Sequence, residues 1–179
     1  RKNDIMIYVS EDIELVPLST DDIEKIFNIL NDERVYMREW LPFVDATHSS
    51  ADTATFVNSV LQTDNEQFII RYQSKSVGLI GFKDLDKANK RVEIGYWLSQ
   101  YVQGKGIMIR SVQKLIDYAF EKLDLNRVQI KAAIENQKSR NIPEKLGFLL
   151  EGVERDGELL VDNKYTDIAV YSLLRKEYK

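Results

Sequence analysis

The strongest constraint on the fold is a short stretch, Gln103-Gly104-Lys105-Gly106-Ile107, that joins a strand-like run to a helical one. The run before it is 91–98 (RVEIGYWL), with Val92, Ile94, Tyr96 and Leu98 on one face of a period-two pattern. The run after it carries Val112, Leu115, Ile116, Ala119 and Leu123 at helical spacing. A second strand-like run, 127–134 (RVQIKAAI), follows. Strand, helix and strand make a βαβ unit, so the two strands are expected to lie parallel.

The loop itself has specific physics. The first turn of a helix leaves its backbone N–H groups unpaired, and the macrodipole adds partial positive charge. Glycines let the main chain approach an anion closely, and Lys105 supplies a full charge. The stretch therefore suits a phosphate. A plain strand-to-helix turn explains the same glycines. A dinucleotide loop needs a third glycine where Ile109 stands, and it belongs after the first strand. No Walker pattern is present. A pyrophosphate loop of another kind and the plain turn both stay open on these residues.

The rest of the chain alternates strands and helices. Segment 13–18 reads as a strand. Ser19-Thr20-Asp21-Asp22 then offers caps for a helix with Ile23, Ile26, Phe27 and Leu30 on one face. A second helix, about 50–62, capped at Ser49-Ser50, is expected to bury Phe56, Val57, Val60 and Leu61. Segments 67–72 and 76–82 read as a hairpin, with residues 84–90 as the next turn. A short helix over roughly 138–146 ends at Gly147, with Phe148 placed for the contact beyond it. Strands at about 149–155 and 164–173 close the chain, their turn expected around Asp156-Gly157 and Asp162-Asn163. The expected order is β-α-α-β-β-β-α-β-α-β-β. It predicts an α/β (α+β) fold: a mixed, mostly antiparallel sheet with one parallel βαβ unit and helices on both faces.

Composition removes several classes of chemistry. The 179 residues match one ordinary domain of about 100–200 residues, with no linker or repeat, so residues 1–179 are read as a single domain. There is no cysteine, which excludes disulfides, cysteine zinc sites and thiol catalysis. The single histidine, His48, excludes any site needing two; it reads as an exposed loop residue with no assigned role. No metal is expected. A net charge of −4 argues against nucleic acid as the main ligand. No apolar run approaches the roughly 20 residues that span a bilayer, so no membrane partner is expected. The chain begins at Arg1, which points to a processed or trimmed form; no secretory signal is visible, and the cytoplasm is the expected location.

Two motifs in order carry a family resemblance. Glu93-Ile94-Gly95-Tyr96-Trp97-Leu98 followed by Gln103-Gly104-Lys105-Gly106-Ile107 resembles the acetyl-CoA motif of the GNAT acyltransferases, Q/R-x-x-G-x-G/A. Met108 stands where Gly or Ala is usual, which implies crowding on the pyrophosphate side. Asn136-Gln137-Lys138-Ser139, then Lys145-Leu146-Gly147-Phe148 and Leu150-Glu151-Gly152, resemble the second motif, which borders the cofactor thiol. Together with Trp40-Leu41-Pro42, these are most similar to the bacterial ribosomal-protein N-terminal acetyltransferase subgroup.

The resemblance implies a GNAT fold and acetyl transfer from acetyl-CoA to a primary amine, with a ribosomal-protein N-terminus as leading acceptor. A small-molecule amine, or an idle CoA-binding or interaction module, are the rival readings. It implies cofactor contacts at Trp97, Leu98, Gln103, Gly104, Lys105, Gly106, Ile107, Met108, Asn136 and Ser139. It also implies Ser139 as general acid and Glu158 as base, with Glu93 second in line for the base. Ser139 reads equally as a helix N-cap, Asn136 as an ordinary loop-to-helix cap, and Glu158 as a solvated turn acid. Arg91 is a candidate partner for Glu93 or for a neighbour of it. Trp40 and Phe43, with Glu93, are expected to wall an acceptor site, or to pack the first helix on the sheet. A homodimer is implied by the subgroup and by the apolar closing strands.

One residue stands apart. Pro143 lies inside the short helix, lacks an N–H, and crowds the carbonyl four residues earlier, that of Ser139. Either that carbonyl is left for a hydrogen bond from water, the pantetheine arm or an acceptor, or the helix begins only at Ser139 and the proline has no further effect.

Overall fold

The computed structural model describes residues 5–179. Eight strands form one sheet: β1 (Ile7–Ser10), β2 (Ile13–Pro17), β3 (Gln67–Tyr72), β4 (Lys75–Asp86), β5 (Arg91–Leu98), β6 (Arg127–Ala133), β7 (Leu149–Leu160) and β8 (Lys164–Leu174). Their spatial order is β1-β2-β3-β4-β5-β6-β8-β7. Every neighbouring pair is antiparallel except β5 and β6, which are parallel, as a βαβ unit requires. Five α-helices accompany the sheet among the described residues: α1 (Ile23–Asp32), α2 (Arg34–Met37), α3 (Ser50–Leu61), α4 (Ile107–Glu121) and α5 (Gln137–Lys145).

Strand alternation divides the core between the two sheet faces. Phe68, Ile70, Ile80, Phe82 and Ile94 point to the face covered by α4, whose Val112, Leu115, Ile116 and Ala119 are fully buried. Ile69 and Leu79 point the other way and pack with Ile26 and Leu30 of α1 and Val57 of α3. Helices thus cover both faces of the mixed sheet. Capping agrees with the sequence at both early helical starts. Ser19 and Asp22 form a reciprocal box, as do Ser49 and Asp52.

Four local expectations are corrected. β1 was absent from the expected order; a four-residue run offers too few alternations to stand out. β4 runs through to Asp86, into residues read as a turn. On α3, Val57 and Thr53 are buried, while Phe56 and Leu61 are exposed. Phe56 faces a cavity and not the core. Finally, the closing hairpin turns only at Val161–Asn163. Asp156-Gly157 lies inside β7, in a bulge between the pairs Glu154↔Ile168 and Glu158↔Thr166. Asp156 takes a φ of 47°, and its N–H donates to Asp167 Oδ1 at 2.8 Å. A turn-forming dipeptide thus serves a bulge, which also needs left-handed backbone.

Candidate active site

The parallel pair creates the site. β5 and β6 are paired only from Arg91–Glu93 against Arg127–Gln129. Beyond Glu93 the pairing stops, and a cavity of about 1130 Å³ lies against Gly95–Leu98 of β5 and Lys131–Ala133 of β6. The edge of β5 facing it therefore has main-chain groups with no strand partner, suited to an extended, amide-bearing ligand.

The glycine loop sits where α4 begins. Gly104 and Gly106 take φ of 76° and 71°, left-handed values that favour glycine. No bond within the described residues takes up the N–H groups from Gly104 to Ile109; the first helical bond is Arg110 N–H to Gly106 O at 3.3 Å. Arg110 also donates to the Lys105 carbonyl at 3.1 Å, which holds the loop's oxygens away from the N–H side. Gln103 turns inward, donating to Leu98 O at 3.2 Å and Ser99 O at 3.4 Å. Ile107 is buried in the core, and Met108 packs there too while touching the cavity wall. Met108 is thus mostly buried, with only its edge reaching the cavity. Gln103 and Met108 line the cavity; Gly104, Lys105, Gly106 and Ile107 do not, and lie beyond its end.

α5 forms the opposite wall. Its N-cap is Asn136, whose side-chain oxygen accepts from Ser139 N–H at 3.3 Å. Ser139 is therefore the third helical residue and not the cap, which corrects that reading. The helix ends in paired bonds, Phe148 N–H to Pro143 O at 2.9 Å and Gly147 N–H to Glu144 O at 3.3 Å. Gly147 is left-handed and Phe148 buried, as the sequence implied. Pro143 lies well inside the helix, so the reading in which the helix begins at Ser139 fails. The Ser139 carbonyl accepts instead from the Tyr96 hydroxyl at 3.0 Å. The Ser139 hydroxyl in turn lies 3.3 Å from the same phenol oxygen. Burial pushes the Tyr96 phenol well above its ordinary value, the Ser139 hydrogen bond lowering it slightly and Tyr171 adding to the rise.

Carboxylates line another wall. Glu93 is buried, and its partner is Lys83 at 3.5 Å; Arg91 pairs with Asp86 at 3.6 Å. Of the two partners open to Arg91, the structure thus selects a neighbour and not Glu93. Each meets the residue across from it, Glu93 opposite Lys83 and Arg91 opposite Asp86, on the two sides of an irregularity in the β4–β5 register. Gly95 makes room for the Lys83 stem, since a Cβ there would meet Lys83 Cδ at 3.1 Å. Glu158 follows the β7 bulge and also lines the cavity. Burial raises its carboxyl above the ordinary value, with Lys83 pulling back and Glu93 adding to the rise. Trp40, Phe43, Phe56 and Trp97 supply an aromatic wall on the side of α1 and α3. Half-exposed Phe43 and Phe56 are apolar groups facing a ligand-sized space.

The cavity gathers Trp40, Phe43, Glu93, Trp97, Leu98, Gln103, Met108, Asn136, Ser139 and Glu158. Sequence reasoning missed the contact of Tyr96 with Ser139, read Phe56 as a core residue, and did not single out Lys83. It also passed over Glu33, buried between α1 and α2. Its carboxylate accepts from Ser99 Oγ at 2.6 Å and Gln100 N–H at 2.7 Å, anchoring the approach to the glycine loop. An acid at a helix end, followed by Arg34, shows no local sign of such burial.

Known proteins match this arrangement. A family model described as an acetyltransferase (GNAT) domain matches residues 12–149. Bacillus subtilis YdaF, whose name classes it with ribosomal N-acetyltransferases, is 37% identical, with 96% of each chain covered. The ribosomal-protein-serine acetyltransferase of Escherichia coli K12 is 28% identical over 93% of this chain and 94% of that one. The solved structure of RimL, a ribosomal L7/L12 α-N-protein acetyltransferase in complex with coenzyme A, superposes with a TM-score of 0.91 at 25% identity, covering 97% and 99% of the two chains. The likeness in sequence and in fold extends over nearly the whole chain, and the chain belongs to the GNAT family of acetyltransferases.

Proposed function

We propose that the chain, acting as one domain over residues 1–179, moves an acetyl group from acetyl-CoA directly to a primary amine. The acceptor is a protein N-terminal amine such as that of a ribosomal protein. The observation that carries this reading is the gap between β5 and β6, with a free N–H loop at one end and a carboxylate wall within it. Bound acetyl-CoA supplies an activated acyl group and a good leaving thiolate, so no nucleophilic side chain is needed.

The chain's residues then have three tasks. The N–H groups of residues 104–108, with Lys105, hold the pyrophosphate. The free edge of β5 at Trp97 and Leu98, and the Asn136 side-chain nitrogen, bind the amides of the pantetheine arm and align the thioester. Ser139 offers its hydroxyl hydrogen to the sulfur as negative charge develops there. Glu158 takes a proton from the acceptor amine, directly or through water, helped by its raised pKa. An α-amine, with a pKa of about 7.7–8.0, is roughly one-third neutral at pH 7.5; a lysine at about 10.4 is neutral only about one part in a thousand. A carboxylate base is better matched to the former.

A second reading has its own support. Glu39, Asp84 and Glu158 line the cavity, and a polyamine would be drawn to them. Thiol release with acetyl-CoA against peptides with free N-termini, the same peptides N-terminally blocked, and small polyamines separates the two. Turnover of free but not blocked peptides supports the first reading. Turnover of polyamines alone replaces it, and amine-independent binding without turnover reduces the chain to a CoA-binding module. We further infer a homodimer acting in the cytoplasm, supported by the exposed Leu149, Leu150 and Val153 along edge strand β7. Light scattering giving a mass near the 20.8 kDa of one chain would refute the dimer.

A further inference from the structure

The contact between α5 and β5 has a cause that lies in the sequence. Asn136 caps α5 and Gly147 closes it, so Pro143 falls in the helix interior, where its missing N–H leaves the Ser139 carbonyl without a helical partner. A buried carbonyl without a partner is costly. Here the partner comes from 43 residues away, where the Tyr96 hydroxyl donates at 3.0 Å.

A phenol has one hydrogen and two lone pairs. A carbonyl has no hydrogen to give, so the Tyr96 hydrogen is committed to Ser139 O. The second contact, 3.3 Å between Ser139 Oγ and the phenol oxygen, then has the serine as donor. One phenol therefore receives the serine hydrogen and grips the serine backbone at once. The burial that keeps Tyr96 protonated keeps this pattern in place across the working pH range. Tyr96 also lines the cavity from the free stretch of β5, beside the space into which Ser139 faces.

We propose that Tyr96 is the positioning residue for Ser139, taking the place of the N–H that Pro143 removes and holding the serine hydroxyl hydrogen on its own oxygen until charge develops on the donor's sulfur. The bond it gives up is long and weak, so turning the hydrogen towards a thiolate costs little. The gain appears only when the sulfur is negative, which is the condition for raising kcat and not merely affinity. No covalent bond to Tyr96 is made or broken, and Tyr96 stays neutral throughout. Pro143 is part of the device, because an alanine there would supply the N–H, capture the Ser139 carbonyl and release the phenol.

This inference rests on Ser139 acting at the sulfur, and the test separates the two claims. Tyr96→Phe, Ser139→Ala, the double variant and Pro143→Ala are compared in steady-state acetyl transfer and thermal melts. The expected results for Tyr96→Phe are kcat lower by about tenfold or more and a KM for acetyl-CoA within about twofold. The double variant is expected to be no slower than Ser139→Ala, because the phenol acts only through the serine. Pro143→Ala is expected to melt higher yet turn over more slowly, and it carries the test if Tyr96→Phe does not fold. Losses that multiply in the double variant, or Pro143→Ala melting higher with unchanged kcat, would overturn the positioning role and leave Tyr96 a brace. Ser139→Ala at wild-type kcat would overturn both claims; a slow Ser139→Ala with an unaffected Tyr96→Phe would overturn this one alone.

Discussion

Removing the Glu33 carboxylate tests how the loop is held. Glu33 is buried, and it satisfies two donors on the segment leading into the glycine loop: Ser99 Oγ at 2.6 Å and Gln100 N–H at 2.7 Å. Hydrogen bonds to a charged group contribute about 1.5–3 kcal/mol each, so Glu33→Ala loses about 3–6 kcal/mol before water enters the hole. With some recovery by water, about 3–4 kcal/mol is expected, or roughly 6–16 °C in Tm for a chain of this size. Glu33→Gln keeps an acceptor for the Gln100 N–H and fills the same space, so its cost is about 1 kcal/mol. Urea denaturation of the three proteins measures the order directly. The same loosening should reach Gln103, whose side chain grips the Leu98 and Ser99 carbonyls, and raise the Kd for acetyl-CoA in the alanine variant. Alanine and glutamine variants of equal stability, or an alanine cost below about 1 kcal/mol, would refute the anchoring argument.

Three further outcomes are expected. Gly106→Glu should abolish acetyl-CoA binding in calorimetry, because it sets a carboxylate among N–H groups meant for a phosphate; the chain should still fold, since a Cβ there meets only Arg110 Nε at 3.6 Å, although the φ of 71° strains it. Glu158→Gln should flatten the acidic limb of the pH–rate profile. The wild-type limb should fall at a pH above the ordinary carboxylate value, because burial raises this pKa and activity needs the ionised form. Glu151 is held at about 2 by Arg127 and by the Ser172 hydroxyl, so its stabilisation is present above its unfolded value of 4.5 and is lost as pH falls towards 2. Glu151→Gln should accordingly weaken the pH dependence of stability between those values, as read by acid titration of the near-ultraviolet circular dichroism.

Features set by local chemistry were legible. The βαβ unit, the glycine loop before α4, the caps at Ser19 and Ser49 and the closure at Gly147-Phe148 each depend on neighbours in the chain. Pro143 likewise announced an orphaned carbonyl at Ser139. What satisfied that carbonyl was hidden, because Tyr96 reaches it only through the fold and looks like any alternating strand aromatic. The burial of Glu33 is hidden for the same reason: its donors lie 66 and 67 residues away. Asn136 and Ser139 were both plausible caps, and the choice turned on where the helix enters from β6. Asp156-Gly157 misled because left-handed backbone serves a bulge as readily as a turn, and the bulge precedes Glu158 on the cavity wall.

The central claim is direct transfer between two substrates held together, with no acyl group on the protein. It is tested most directly by initial rates of thiol release with acetyl-CoA and a free-N-terminal peptide varied against each other. The account predicts amine-dependent release with intersecting reciprocal plots, one acetylated α-amine appearing for each thiol freed. Parallel plots, marking an acyl-enzyme, or thiol release indifferent to the amine would contradict it.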